Sequence, residues 1–339
     1  MGKIDWKGNM SKDSRVRPTN DELALHFEKL YTCNDPEESQ KIDVLEIDLY
    51  NPLLDDPITS IEIKDAMKEM KKGGYDYSLD SLKIFVLLMS PLLLMFFNLM
   101  FYVSYPASLA ISMLCALPKK GNLSLPKNYR GIQMLKALSA LYDRILATRL
   151  RKWSADAISF VQSAFQKGKS TMLPLFTIRL LTEIAKCTGM TLYIGFFDLE
   201  KAFDKVSRYL LLKKLISRGI GSCMLEALKR IYSFTSCIIG EASNASEEFR
   251  TYSGIRQGAP SSVLLFIFFM DELVSHLQNH CVEEPLLNLL HCLLHADDTA
   301  ILSTDRKLFI KKCNVMLKYF NDHSLRLNFP KSSYLRKLF

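Results

Sequence analysis

The chain has 339 residues, 48% hydrophobic and 24% charged, enough for about two domains and a real core. Fourteen Gly and 12 Pro exclude collagen-like and wholly disordered chains, and eight Cys with no C-x-x-C exclude a disulfide scaffold or zinc knuckle, so reduced thiols in an intracellular protein are expected. The net charge of +8 is split: 11 Lys and Arg face 18 Asp and Glu through Asp80, leaving 33 against 18 beyond it, which fits a polyanionic partner such as nucleic acid, a plain basic soluble protein being the alternative.

Residues 1–20 hold no apolar stretch of the kind a secretory signal needs, so a nuclear or cytoplasmic, unsecreted chain is expected. Thr19-Asn20-Asp21-Glu22 opens a helix whose Leu23, Phe27 and Leu30 share one face. A second helix starts near Pro57–Glu62, with Thr59 or Ser60 as its cap. Its apolar residues are Ile61, Ile63, Ala66, Met67 and Met70, and Lys71-Lys72-Gly73-Gly74 should stop it. From Ile84 to Val103 only Ser90, Pro91 and Asn98 interrupt an apolar run as long as a membrane span. Pro91, Asn98 and the lack of a second such run favour a buried helix, and no membrane is expected. Beyond Pro118, short strands, basic loops and helices alternate without repeats or regular βαβ units, which implies α+β with a mostly antiparallel sheet.

Two segments place carboxylates where they are costly. In Tyr193–Asp204 an apolar strand runs into Asp198 and a helix starts near Lys201. Such an Asp is paired, cation-bound or a helix cap. In Leu290–Leu302, Asp297 and Asp298 sit between two apolar runs, the pattern of a hairpin with both at its turn; an ordinary exposed turn is the alternative. Two carboxylates about 4 Å apart repel by roughly 4 kcal/mol at an effective dielectric near 20. Gathering Asp198, Asp297 and Asp298 therefore asks for divalent cations, and hard oxygen ligands suit Mg²⁺. Two such ions can activate a 3′-hydroxyl and stabilise leaving pyrophosphate. Between these segments, Ser253–Phe266 is a Gly-rich turn leading into an apolar helix, able to bring N–H groups near an anion. Gly258 there permits close backbone approach.

At these residues the chain resembles the reverse transcriptases of non-LTR (LINE-type) retrotransposons. FDLEKAFDKV, GIRQGAPSSVLLF and LLHADDTAIL resemble the three palm motifs, LPKKGNLSLPKNYRGIQML and QSAFQKGKST the fingers segments, and LRLNFPKSS the motif whose lysine follows a Leu-Asn strand. The resemblance implies a right-hand polymerase fold, with a polar and helical extension at 1–54, fingers at 55–190 and an antiparallel palm at 191–339. The chain ends at Phe339, just past the palm motifs, so no thumb is expected.

The same resemblance assigns roles. Asp198 and Asp297 match the metal-binding aspartates, Asp298 the less directly bound third carboxylate, and the implied cofactor is a pair of Mg²⁺ ions, with Mn²⁺ as a substitute. Phe203 matches the aromatic that excludes a 2′-hydroxyl. Gln257 and Gly258 match residues lining the template and incoming nucleotide. Lys119 and Arg130 match the triphosphate-holding cations, and Lys331 the lysine near pyrophosphate. The implied partners are an RNA template, a DNA primer and dNTPs, with oligomeric state open. The alternative is a decayed element copy that binds nucleic acid without catalysis. Ala296 and Phe203 speak against a viral RNA-dependent RNA polymerase, which usually has Gly and a polar residue there. His295 stands where the family usually has Tyr or Phe, and Pro260-Ser261-Ser262-Val263 replaces Pro-Leu-Ser-Pro. The basic clusters at Lys119-Lys120, Arg149-Arg151-Lys152 and Lys167-Lys169 are expected at phosphates. His276 and His280, four apart, read as a polar helix face rather than metal ligands.

Overall fold

A computed structural model describes residues 17–337 except 33–36, 72, 120, 156, 167, 241–243, 285–286 and 288–289. Among the described residues eight strands form two sheets: β1 (Ile111–Pro118), β2 (Tyr129–Met134), β3 (Leu192–Phe197), β4 (Ser236–Ile238), β5 (Phe249–Arg250), β6 (Cys292–His295), β7 (Asp298–Ser303) and β8 (Ser333–Lys337). The first sheet has the order β2-β1-β4-β5, with β1 and β4 parallel and its other pairs antiparallel. The second, β6-β7-β3-β8, is antiparallel throughout. The mixed α+β expectation with an antiparallel second sheet holds.

The helix Ser262–His280 runs through the core. Leu265 to Met270 are all 0% exposed, so this helix is apolar all round because neighbours cover every face. Its one buried carboxylate, Asp271, accepts from Arg218 Nη2 and Ser159 N at 3.0 Å each, which offsets the desolvation of the charge. Rings of His276 and His280 lie with centroids 4.3 Å apart, tilted by 33°, along its exposed end.

Local signals placed two of the first four described helices, and missed the short helices Glu38–Asp43 and Pro52–Asp55 between them. Asn20–Leu30 begins at Thr19 with a capping box to Glu22 and buries Leu23, Phe27 and Leu30 against the first sheet. Ser60–Glu69 begins at Thr59, again boxed by Glu62. The side chain of Glu62 also receives Arg149 Nε at 2.7 Å. Two details differ: Ile61 is 68% exposed, and the helix ends at Glu69, before the glycines, where Met70 turns to extended backbone. Thr59→Ala should cost about 1 kcal/mol by leaving the Glu62 N–H without its side-chain acceptor, read as a lower urea midpoint at unchanged m-value.

The run Ile84–Val103 is not one buried helix. It lies within two helices, Leu79–Leu88 and Ser90–Tyr102, bent by 99°. Pro91 cannot continue the preceding helix but fits the first turn of the next, so the chain folds back there. Leu82, Val86, Leu93 and Phe97 are buried, whereas Leu87, Leu88, Leu92 and Met95 face outward. Asn98, the polar interruption, donates to Ile58 O and accepts from Ile58 N, tying this helix back to the segment that enters Ser60–Glu69. Among the described residues no single helix is long and apolar enough to cross a membrane.

Arg149 corrects a second expectation. It is buried on the helix Ala137–Trp153, bonded to Glu62 and to the carbonyls of Leu54 and Pro57, and so serves as an internal tie rather than a phosphate contact. Lys169 likewise donates to the carbonyl of Gln162 at 3.0 Å. Lys120 and Lys167 lie outside the described residues. The seven cysteines among the described residues form no disulfide.

Candidate active site

The second sheet brings the carboxylates together. Phe197 on β3 pairs with Thr299 on β7, so Asp198, one residue further, falls level with Asp298. The β6–β7 hairpin closes through Ala296 and Asp297, with His295 paired to Asp298. Asp297 alone of the pair therefore sits in the turn, and Asp298 opens β7 instead of sharing the turn as expected. Ala296 holds φ 58°, a left-handed conformation costly for a non-glycine residue. Its N–H is secured by the fully buried Gln162, whose Oε1 accepts it at 3.1 Å.

Asp198 and Asp297 line one cavity of about 780 Å³ with Lys119, Arg130, Phe203, Gln257, Gly258 and Lys331. Eight of the nine residues singled out from sequence thus meet. Asp298 faces a neighbouring cleft of about 300 Å³, which Asp198, Lys331 and His295 also line.

Lys331 Nζ is 3.1 Å from Asp198 Oδ2, and Asn328 Nδ2 donates to the same oxygen at 2.9 Å. Asn328 N also donates to Asp198 O at 2.8 Å, so the turn before β8 is laced to the end of β3. Burial, and then the charges of Asp298 and Asp198, hold the Asp297 carboxyl above its usual range. Burial, and then the charge of Arg130, lowers Lys119. Phe203 stacks on Phe266, with ring centroids 4.1 Å apart and planes inclined by 15°, which fixes the ring in the cavity wall.

Gly258 is required by two constraints at once. It has φ +125°, and a Cβ there would meet Gln133 O at 2.3 Å. The neighbour so close is the backbone of β2, and Gln133 N donates to Gln257 O at 2.6 Å. The anion expected at the following helix start is the chain's own Asp143. Its carboxylate accepts from Ser261 N, Ser261 Oγ and Arg256 Nη2, each at 2.8 Å.

Sequence reading passed over Lys201, Asp204, Asn328 and Tyr31. Asp204 follows the apolar pair Ala202-Phe203, a visible signal for a costly carboxylate. Tyr31 had no such signal, because it belongs to a separate amphipathic helix. His295 is anchored by Ser163, with Nδ1 2.9 Å from Oγ.

The family model described as "Reverse transcriptase (RNA-dependent DNA polymerase)" matches residues 117–338. The Xenopus laevis "Transposon TX1 uncharacterized 149 kDa protein" is 28% identical over 232 residues, 67% of this chain and 18% of that one. The Drosophila melanogaster "Retrovirus-related Pol polyprotein from type-2 retrotransposable element R2DM" is 24% identical over 246 residues, 71% of this chain and 23% of that one. The chain therefore spans about a fifth of either relative. Among solved structures, apo telomerase from Candida tropicalis, truncated from its C-terminal domain, superposes with TM-score 0.54 at 14% identity, covering 70% of this chain and 52% of that one. Telomerase from the same organism in complex with a TWJ fragment of telomeric RNA gives 0.52 at 14% identity, covering 69% and 42%. These likenesses carry the right-hand polymerase fold. With two thirds of its length matched by the family and retrotransposon proteins among its relatives, the chain belongs to the reverse transcriptases, the family of RNA-dependent DNA polymerases, as a LINE-type member.

Proposed function

We propose that the chain adds deoxynucleotides to the 3′-hydroxyl of a DNA primer, copying an RNA template. The observation that carries this reading is the convergence of Asp198 and Asp297 with Lys119, Arg130, Phe203, Gln257 and Gly258 on one cavity. Among the described residues no three His, Cys, Asp or Glu stand together as metal ligands, so the donor set is the two carboxylates of Asp198 and Asp297, which suits a cation that takes its other oxygens from water and substrate phosphates. The carboxylate oxygens are hard, and burial, then the charges of Asp298 and Asp198, hold the Asp297 carboxyl above its usual range, an opposition that a cation would relieve. In this reading Asp198 and Asp297 hold two Mg²⁺ or Mn²⁺ ions, with Asp298 beside them. Bound there, the ions would make the primer hydroxyl a better nucleophile and neutralise the leaving pyrophosphate.

The chain's own side chains do the remaining work. Lys119 and Arg130 face the cavity as cations for a triphosphate. Lys331 carries a proton at Nζ, 3.1 Å from Asp198, where it can pass to the departing pyrophosphate. Gln257 and Gly258 form the wall toward the base pair. Phe203, pinned against Phe266, closes the space a 2′-hydroxyl needs. Phe203→Ala should therefore raise the use of ribonucleotides relative to deoxynucleotides by about tenfold or more, measured as the ratio of the two kcat/KM values. An unchanged ratio would remove Phe203 from sugar selection. The basic excess beyond Asp80 supports a nucleic-acid partner, and a location in nucleus or cytoplasm goes with that reading.

A second reading, nucleic-acid binding without catalysis, is favoured by the Lys331–Asp198 ion pair, which already engages the carboxylate with a cation of the chain itself. Primer extension by the purified chain on an RNA template, with Mg²⁺ and dNTPs, separates the two. Extension is expected; a folded protein that binds RNA yet extends nothing would favour the second reading.

A further inference from the structure

We propose that Asp204, braced by Tyr31, is a positioning residue that turns the carboxamide of Gln257 so that its carbonyl oxygen faces the nucleotide cavity. The inference rests on the polymerase reading of that cavity. Asp204 is 5% exposed, and its Oδ1 accepts from Gln257 Nε2 at 3.0 Å and from Tyr31 Oη at 3.2 Å. An ionised carboxylate only accepts, so the amide must offer it the NH₂ end. The opposite end, the carbonyl, is then the one left for the cavity that Gln257 lines.

The three residues come from separate parts of the chain, and each is locked by its backbone. Tyr31 O accepts from Tyr252 N at 2.9 Å and Ser253 N at 3.0 Å, which ties the end of the first helix to the loop leading from β5 to Gln257. Ile255 N donates to Phe203 O at 3.0 Å, Gly254 N to Val206 O at 2.9 Å, and Ser253 Oγ to Asp204 O at 3.2 Å, which stitches both segments around Asp204. A side chain in that frame has little freedom. Burial pushes the Asp204 carboxyl up to about 6, and the cations Lys201, Lys119 and Arg130 with the Tyr31 hydroxyl oppose it, so the group is largely ionised at neutral pH.

The orientation has a chemical consequence. A carbonyl attracts hydrogen-bond donors, which an incoming nucleotide carries on its sugar hydroxyl and on base amino groups. It repels phosphate oxygens, which are acceptors. Gln257 so held selects the nucleoside end of the substrate, and Lys119 and Arg130 are left to take the phosphates.

The test is dTTP binding to the protein on an RNA–DNA primer–template, followed by titration calorimetry with Ca²⁺ in place of Mg²⁺. Asn at 204 can both donate and accept, so it no longer dictates the direction of the amide. Asp204→Asn should weaken dTTP binding by about tenfold in the wild-type background and by less than about twofold when Gln257 is already Ala. Tyr31→Phe, which removes one hydroxyl and keeps the ring, should give a smaller loss that also disappears in the Gln257→Ala background. A loss of equal size in both backgrounds, or no loss, would overturn the positioning role alone. Wild-type protein that binds primer–template but no dTTP would overturn the polymerase reading and this inference with it.

Discussion

Asp297→Asn is expected to reduce primer extension on RNA by about a thousandfold or more while the protein stays folded. The substitution keeps the shape of the side chain at the hairpin turn and removes only its charge. If Asp297 works by holding cations at the cavity, loss of that charge removes a ligand that no neighbour replaces, since Asp298 faces the adjacent cleft. The fold should not suffer. Burial and the nearby carboxylates raise the folded pKa of Asp297, so at neutral pH its ionised form works against folding, and a neutral Asn relieves that opposition. The melting temperature should therefore stay level or rise slightly. RNA affinity should persist with its salt dependence, because phosphate contacts to Lys and Arg are untouched. Extension above about a tenth of the wild-type rate would show that Asp297 is not a metal ligand.

Asp143→Ala should be the most damaging single change to stability, costing about 3–5 kcal/mol. Asp143 is 0% exposed and Arg256 is 1% exposed, so deleting the carboxylate leaves a guanidinium charge without its ionic partner in the core. The loss reaches further than one ion pair, because the same carboxylate holds Ser261 N and Ser261 Oγ at the start of the central helix. That helix start follows Gln257 and Gly258 directly, so the wall of the cavity depends on a residue outside it. Replacing both partners by apolar side chains, Asp143→Leu with Arg256→Met, should recover much of the stability but not the position of the turn. Urea denaturation reads the first effect and dTTP affinity the second. A loss below about 1 kcal/mol for Asp143→Ala would mean that water or a neighbour compensates Arg256.

The contrast between what was legible in sequence and what was not follows from the range of the interactions. Thr19 with Glu22 and Thr59 with Glu62 announce helix starts, because a cap is made within three residues. Asp198 at the end of β3 and the Asp297 hairpin were legible for the same reason: alternating apolar residues and turn chemistry are local. Their order along the chain, with the Gly258 turn between them, carried the family and so the expectation that they meet.

Other features were settled only by packing. Tyr31 reaches Asp204 across 173 positions, and Arg149 reaches Glu62 across 87. No periodicity within either helix records such a partner. The direction of the apolar run at Ile84–Val103 was likewise hidden, since Pro91 permits either a kink or a full break, and distant contacts such as Asn98 with Ile58 and Tyr102 with Asp55 hold the second helix across the 99° bend. By itself, then, the sequence determined the helix starts, the strand carrying Asp198, the hairpin and the family. Tertiary structure decided which charges are spent inside the core, which face the cavity, and which way the amide of Gln257 is held. Burial decides these matters, because a charge or amide removed from water must find a partner wherever in the chain one is folded against it.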